Sequence, residues 1–197
     1  THQVPSEIFQ SGMKCLIGPG CVVDPDKLNK ELTYIEEIND KHNLGLGDIR
    51  SRVYLSSAAH VITPQAIEED KKNDSIGTTH SGIGPTFAAK VLRIGKRLQD
   101  LAEDNTFLGC QVGDSYKFLH ASSEAQTILL EGAQGFALDI DVGTYPYVTS
   151  GSCLTGAAFN VGIAPQSLRH VFGAAKIYQT YVGTMEFQPK DDYRLEK

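Results

Sequence analysis

The chain has 197 residues, 41% hydrophobic and 21% charged, with a formal net charge of −6 and a pI of about 5.5. Such a chain is long enough for one globular unit with a sizeable core. The acidic balance excludes a general attraction for nucleic acid, and no apolar run approaches the roughly 20 residues that cross a bilayer.

Val4-Pro5-Ser6 reads as loop. Cys15-Leu16-Ile17-Gly18 and Cys21-Val22-Val23 read as short strands on either side of a Gly18-Pro19-Gly20 turn. Asp24 is placed to cap a helix with Pro25 at its first position. Leu28, Leu32, Ile35 and Ile38 give that helix one apolar face, and it ends at His42-Asn43 with Gly45 and Gly47 beyond. Strands are expected at Arg52 to Leu55 and at Val61-Ile62. A polar helix is expected over residues 65–72, where Glu68-Glu69-Asp70-Lys71-Lys72 makes a solvated face.

Gly77-Thr78-Thr79-His80-Ser81-Gly82-Ile83-Gly84-Pro85 then forms a small-residue loop whose proline suits the first turn of a helix. Phe87, Val91, Ile94, Leu98 and Leu101 predict one apolar stripe on a helix reaching towards Glu103. Lys90, Arg93 and Arg97 form a separate basic stripe. A helix N-terminus facing this loop suits an anion such as phosphate, which Arg93 could grip through two parallel hydrogen bonds. A capped surface helix with a solvated basic face fits this segment equally well.

Thr127-Ile128-Leu129-Leu130 reads as a buried strand that opens into Gly132-Ala133-Gln134-Gly135, and open α/β sheets bind ligands at such strand ends. Residues 143–150 form a second hydroxyl-rich loop, and Thr155 to Val161 is short and helical. His170 to Tyr178 and Tyr181-Val182 are strand-like. The alternation of strands and helices predicts an α/β fold, a mostly parallel sheet flanked by helices, with residues 1–197 as one compact unit.

Cys15, Cys21, Cys110 and Cys153 make no CxxC pair and no close Cys/His cluster, which argues against structural zinc or a disulfide scaffold. Free thiols and the lack of a signal-peptide pattern at Thr1-His2-Gln3-Val4-Pro5 predict a cytoplasmic chain. Asp139 and Asp141 suggest a metal pair at first sight, but no third ligand lies at a recognisable spacing, so loop hydrogen bonding is the reading adopted and no metal ligand is assigned. His60, His80, His120 and His170 are scattered and match no triad.

The loops at 77–85, 132–135 and 143–150 together suit a phosphorylated purine-like molecule. Gln134 can both give and accept hydrogen bonds to a base edge, and Thr79 and Thr149 can reach phosphate oxygens. Ordinary loop hydrogen bonding is the competing account of Gln134 and Thr149.

Three stretches resemble the adenylosuccinate synthetase family. One is Gly77-Thr78-Thr79 followed by Gly82-Ile83-Gly84-Pro85 with Lys90 and Arg93, although the family usually has tyrosine at Phe87. The second is Glu131-Gly132-Ala133-Gln134-Gly135, and the third runs from Leu138-Asp139-Ile140-Asp141 to Val148-Thr149-Ser150. Pro5-Ser6 and Ile17-Gly18-Pro19-Gly20 also align. The resemblance implies a synthetase fold similar to P-loop NTPases, here incomplete. It implies a ligase of purine nucleotide biosynthesis that joins IMP to L-aspartate with GTP and Mg2+ through 6-phosphoryl-IMP.

By matching position, Thr79 would hold the IMP phosphate and Arg93 would reach the IMP of a neighbouring subunit in a homodimer. Gln134 would position the purine 6-oxygen, Thr149 would contact the nucleotide phosphate, and Lys90 matches the lysine of the signature. The family's Gly-Asp-Glu-Gly-Lys-Gly loop with its catalytic base and magnesium contact, its Asn-Ala-Gly-His-Thr run, its arginine-rich aspartate loop and its guanine-reading segment do not occur in these residues. The expectation is therefore a central portion that carries mainly the IMP site and is inactive alone. Thr180-Tyr181-Val182-Gly183 departs from the family's usual Thr-Arg-Val-Gly, and the run after it differs too. Two alternatives remain: a phage-type relative that takes dGMP to 2-aminoadenylosuccinate, and a non-catalytic purine-nucleotide-binding paralogue.

Overall fold

A computed structural model describes residues 1–72, 76–121, 127–178 and 184–185. Strand β1 (Cys15–Ile17) is followed by β2 (Val22–Val23) and helix α1 (Pro25–His42). Then come β3 (Val53–Ser56), β4 (His60–Val61), α2 (Pro64–Lys72) and α3 (Ile83–Leu92). Strands β5 (Thr106–Phe107) and β6 (Cys110–Gly113) and helix α4 (Ser115–Leu119) complete the regular elements.

The main sheet has the order β1-β3-β6-β5. β1 pairs with β3 in parallel, Cys15 opposite Val53 and Ile17 opposite Leu55. β3 pairs with β6 in parallel from Tyr54↔Gln111 to Ser56↔Gly113, and only β5 runs antiparallel. β2 leaves this sheet and pairs in parallel with β4, so the strands flanking the Gly18-Pro19-Gly20 turn belong to different sheets. The predicted mostly parallel α/β architecture is present. Parallel neighbours need long crossovers, and α1 supplies the one between β1 and β3.

α1 forms for the reasons its sequence carries. The Asp24 side chain accepts from the Asp26 and Lys27 amides, both at 3.1 Å, and Pro25 occupies the first turn. Leu28, Leu32 and Ile35, spaced by four and three, are fully buried, each burial contributing about 1.5–3 kcal/mol. Asn43 closes the helix in the left-handed conformation. The N-terminal segment is stitched onto α1: Glu31 accepts from the Gln3 and Val4 amides, and the Gln3 carboxamide pairs with the Asp24 backbone. Val4 and Ile8 therefore enter the core instead of lying in a free loop. Arg52 binds four carbonyls, those of Ile8, Gln10, Met13 and Leu46, and locks the same region.

Three expectations are corrected. The helix after Pro85 stops at Leu92, where Arg93 turns left-handed and the Ile94 and Gly95 amides both return to the Ala89 carbonyl. The chain then runs along β4, with Val61 donating to the Lys96 carbonyl and His60 bridging Arg97. Leu98 is buried, but Val91 and Ile94 are 75% and 77% exposed, so the predicted stripe is broken and Arg93 and Arg97 lie outside the helix.

The second correction concerns Thr127 to Glu131, which is exposed and forms no strand. Its apolar residues favour a sheet, yet none of the described strands pairs with it, and without a pairing partner the backbone gains no ladder bonds by extending. The third is His170 to Tyr178, which is irregular and exposed and pairs with none of the described strands. Tyr181-Val182 lies outside the described residues. Thr155–Val161 is helical as predicted, though as a 3-10 helix. The core cluster runs from Val4 to Val112. No helix of the described residues is long and apolar enough to cross a membrane.

Candidate functional site

The loop before α3 is held from below by α2. Asp70 is buried, its Oδ2 accepting from the Gly82 amide at 2.8 Å and its Oδ1 from the Thr78 hydroxyl at 3.1 Å. The sequence placed Asp70 on a solvated face. Glu68, Glu69, Lys71 and Lys72 are indeed exposed, but Asp70 lies one turn after buried Ala66 and shares its inward face. That spacing of four was the available signal. The Gly82 amide and the Thr78 hydroxyl are therefore both already turned to a carboxylate.

α3 packs against the hydroxyl-rich loop that ends at Ser150-Gly151. A Cβ on Gly84 would lie 3.4 Å from the Ser150 hydroxyl, and one on Gly151 would lie 3.3 Å from the Phe87 ring. Lys90 is half-buried, donates to the Pro19 carbonyl at 2.9 Å and lies 5.7 Å from the centre of the Phe87 ring. Burial holds its ammonium below the usual lysine range. Gly18 and Gly20 approach Val161 and Asn160 closely. The turn at 18–20, the body of α3, the loop at 149–151 and the helix at 155–161 thus converge, with half-buried Thr149 at their edge.

The remaining predicted residues are spread more widely. Thr79 is exposed on the loop at the start of α3. Arg93 is exposed at the other end of that helix, about 15 Å away along its axis, so one chain does not bring the two together through α3. Gln134 is exposed and left-handed, on a loop tethered where Glu131 accepts from the amide and hydroxyl of Ser6, each at 3.0 Å.

Asp139 fits its loop-bonding reading. It is fully buried, and hydrogen bonds, led by the one from the Asp141 amide, hold its carboxyl down at about 2. Both of its oxygens accept from N–H and O–H donors, and among the described residues no three His, Cys, Asp or Glu side chains gather as a metal site. A separate hollow of about 430 Å³ lined by Ser57, Gln99, Asp104, Asn105, Val112 and Gly113 contains none of the predicted residues.

Comparison with known proteins bears on these loops. The sequence model of the adenylosuccinate synthetase family matches residues 1–111 and 108–195. The adenylosuccinate synthetase of Shouchella clausii is 34% identical over 238 residues, covering 97% of this chain and 54% of the relative. That alignment is longer than the chain itself, so the relative carries residues inside the matched stretch that this chain lacks, and the family match divides at the β5–β6 turn. The fully ligated adenylosuccinate synthetase of Plasmodium falciparum superposes with a TM-score of 0.75 at 29% identity, covering 93% of this chain and 52% of that one. A cyanophage S-2L succinoaminodeoxyadenylate synthetase, bound to dGMP and to dATP as an energy donor, superposes with a TM-score of 0.65 at 25% identity, covering 83% and 45%. The chain spans about half the length of the curated relatives it matches.

Proposed function

The chain belongs to the adenylosuccinate synthetase family, and from that premise we propose that it carries the IMP-binding part of an enzyme joining IMP to L-aspartate with GTP. A purine 6-oxygen is a poor leaving group. In the proposed reaction the 6-oxygen takes the γ-phosphoryl group of GTP as GDP leaves and N1 loses its proton. The aspartate amine then attacks C6, the C6–O6 bond breaks with phosphate carrying away the electron pair, and the new C–N nitrogen gives up a proton. The convergence of α3 with the 149–151 loop supports this reading, because it sets two phosphate-type loops side by side.

In this account Thr79 and Thr149 donate to phosphate oxygens, and the Gln134 amide positions the 6-oxygen. Lys90, held between Pro19 and Phe87, adds positive potential from the α3 side. Arg93 serves the site of a second copy in a homodimer. Its separation from Thr79 and the exposed Val91, Leu92 and Ile94 beside it favour that arrangement. GTP is the proposed co-substrate and Mg2+ the proposed ion. Residues 1–197 are proposed to act as one cytoplasmic unit, with no nucleic-acid or membrane partner.

The likeness to the dGMP-bound cyanophage protein supplies a second reading, weaker in identity and superposition. Calorimetric titration with IMP, inosine and dGMP separates them. IMP binding, with inosine much weaker, supports the proposal, and dGMP binding tighter than IMP favours the second reading. Equal affinity for inosine and IMP removes the phosphate site.

A further inference from the structure

We propose that Asp139 is the positioning residue of this nucleotide site, fixing the path of residues 140–153 and so the place of Thr149. The inference rests on the reading of Thr149 above.

The geometry is a two-ended clamp. Asp139 Oδ1 accepts from the amides of Asp141 at 2.9 Å and Val142 at 3.1 Å, at the start of the loop. Oδ2 accepts from the Ser152 hydroxyl at 3.0 Å and the Cys153 amide at 2.7 Å, at its end. One carboxylate thus ties both ends of the loop together, the far end lying up to 14 residues beyond Asp139. Backbone bonds close the interior: Gly143 to the Asp139 carbonyl, Thr144 to Ala137, and Thr149 to Leu138 at 2.8 Å. A Cβ at Gly143 would collide with the carbonyls of Ala137 and Asp139, so the turn has no slack. Thr149 is bonded directly beside the clamp and lies three residues before its far end.

A buried carboxylate is tolerated only when its charge meets donors, and charge-assisted bonds are the strong ones. Among the described residues no ion pair involves Asp139, so these donors carry its compensation. Asparagine has nearly the same shape but one carbonyl. Its NH2 group would face two donors at one end of the loop, leaving that end unbonded. The loop would still exist, with one anchor instead of two.

Asp139→Asn, Ser152→Ala and the wild-type 197-residue chain are compared by amide hydrogen exchange without ligand, by IMP calorimetry and by thermal unfolding. Asp139→Asn is expected to speed exchange at one end of the loop, either Asp141 and Val142 or Cys153, and to weaken IMP binding about tenfold, while the amides of Val53–Ser56 stay protected. Ser152→Ala, which removes one of the four donors, is expected to weaken binding about threefold. Should Asp139→Asn not fold, Ser152→Ala carries the test.

Unchanged IMP affinity in every folded variant overturns the proposal even if exchange quickens, because the clamp would then be structural alone. Affinity lost only in proportion to a loss of protection in Val53–Ser56 overturns it too. A wild-type chain that is folded and does not bind IMP overturns the nucleotide reading and this inference with it. Variants that differ from a binding wild type place the failure, or the success, in Asp139.

Discussion

The amide of Gly82 donates to the carboxylate of Asp70 at 2.8 Å, and this bond ties the end of the Gly77–Gly82 loop to the inner face of α2. Both residues are buried, so neither group can turn to water as a substitute. Asp70→Ala leaves the Gly82 amide and the Thr78 hydroxyl without that acceptor. The expected cost is about 1–3 kcal/mol of stability, read by denaturant unfolding, with weaker IMP binding. Unchanged stability would show that water or another acceptor replaces the carboxylate.

Gly82 itself tolerates no side chain. Its φ is +74°, and an added Cβ would lie 2.9 Å from both the Ile62 side chain and the Ile67 amide. Gly82→Ala meets left-handed strain of about 1–2 kcal/mol and a clash with backbone. A clear fall in Tm is expected, larger than for Gly132→Ala, where no neighbour lies within 4 Å. Equal Tm values for the two variants would contradict the packing of α2 under the loop.

His60 makes stability depend on pH. It is buried, and its Nδ1 has no hydrogen-bond partner among the described residues. Burial first, then the charges of Lys90 and Arg97, hold its pKa below the ordinary value, with the Ala58 backbone and Asp100 opposing. The unfolded chain therefore binds a proton near pH 6.5 while the folded chain stays neutral. This contribution is fully present above that pH and is lost as pH falls towards the folded pKa, at up to about 1.4 kcal/mol per pH unit. Unfolding free energies from pH 7.5 to 5.5 should decline less steeply in His60→Leu. The same slope in both proteins would rule out His60 as the source.

Arg93 is proposed to act across a subunit boundary, and mixing separates that from action within one chain. Arg93→Ala and Gln134→Ala each leave every homodimeric site defective. A mixed dimer holds one site with both residues intact, so co-refolding the two should restore part of the IMP binding. Failure to recover any binding in a verified mixed dimer would place Arg93 and Gln134 in sites of the same chain.

Much of the first half of the fold was legible because its signals are local. Asp24, Pro25 and the spacing of Leu28, Leu32 and Ile35 specify α1 without reference to anything distant. The end of α3 was not legible, because periodicity continues to Leu101 while tertiary contacts stop the helix. Gly95 passes so close to His60 that a Cβ would lie 2.7 Å from the ring, and Lys96 is drawn to β4. Thr127 to Glu131 fails in the opposite way: its residues favour a strand, but strand formation needs an edge that no single segment can announce. In the candidate site, the loop residues were visible by type and spacing. Asp70 was hidden in a charged run, and the clamp of Asp139 reaches residues 13 and 14 positions on, beyond any local pattern.

In the proposed function the loops that pack together at Gly84 and Ser150 bind a purine nucleotide through its phosphate. Calorimetric titration of the chain with IMP, repeated with Arg93→Ala and Gln134→Ala, tests it most directly. Binding by the wild type that weakens in both variants, while all three unfold at similar temperatures, is the predicted result. A folded, dimeric wild-type chain that gives no binding, or equal affinities in all three proteins, would contradict it.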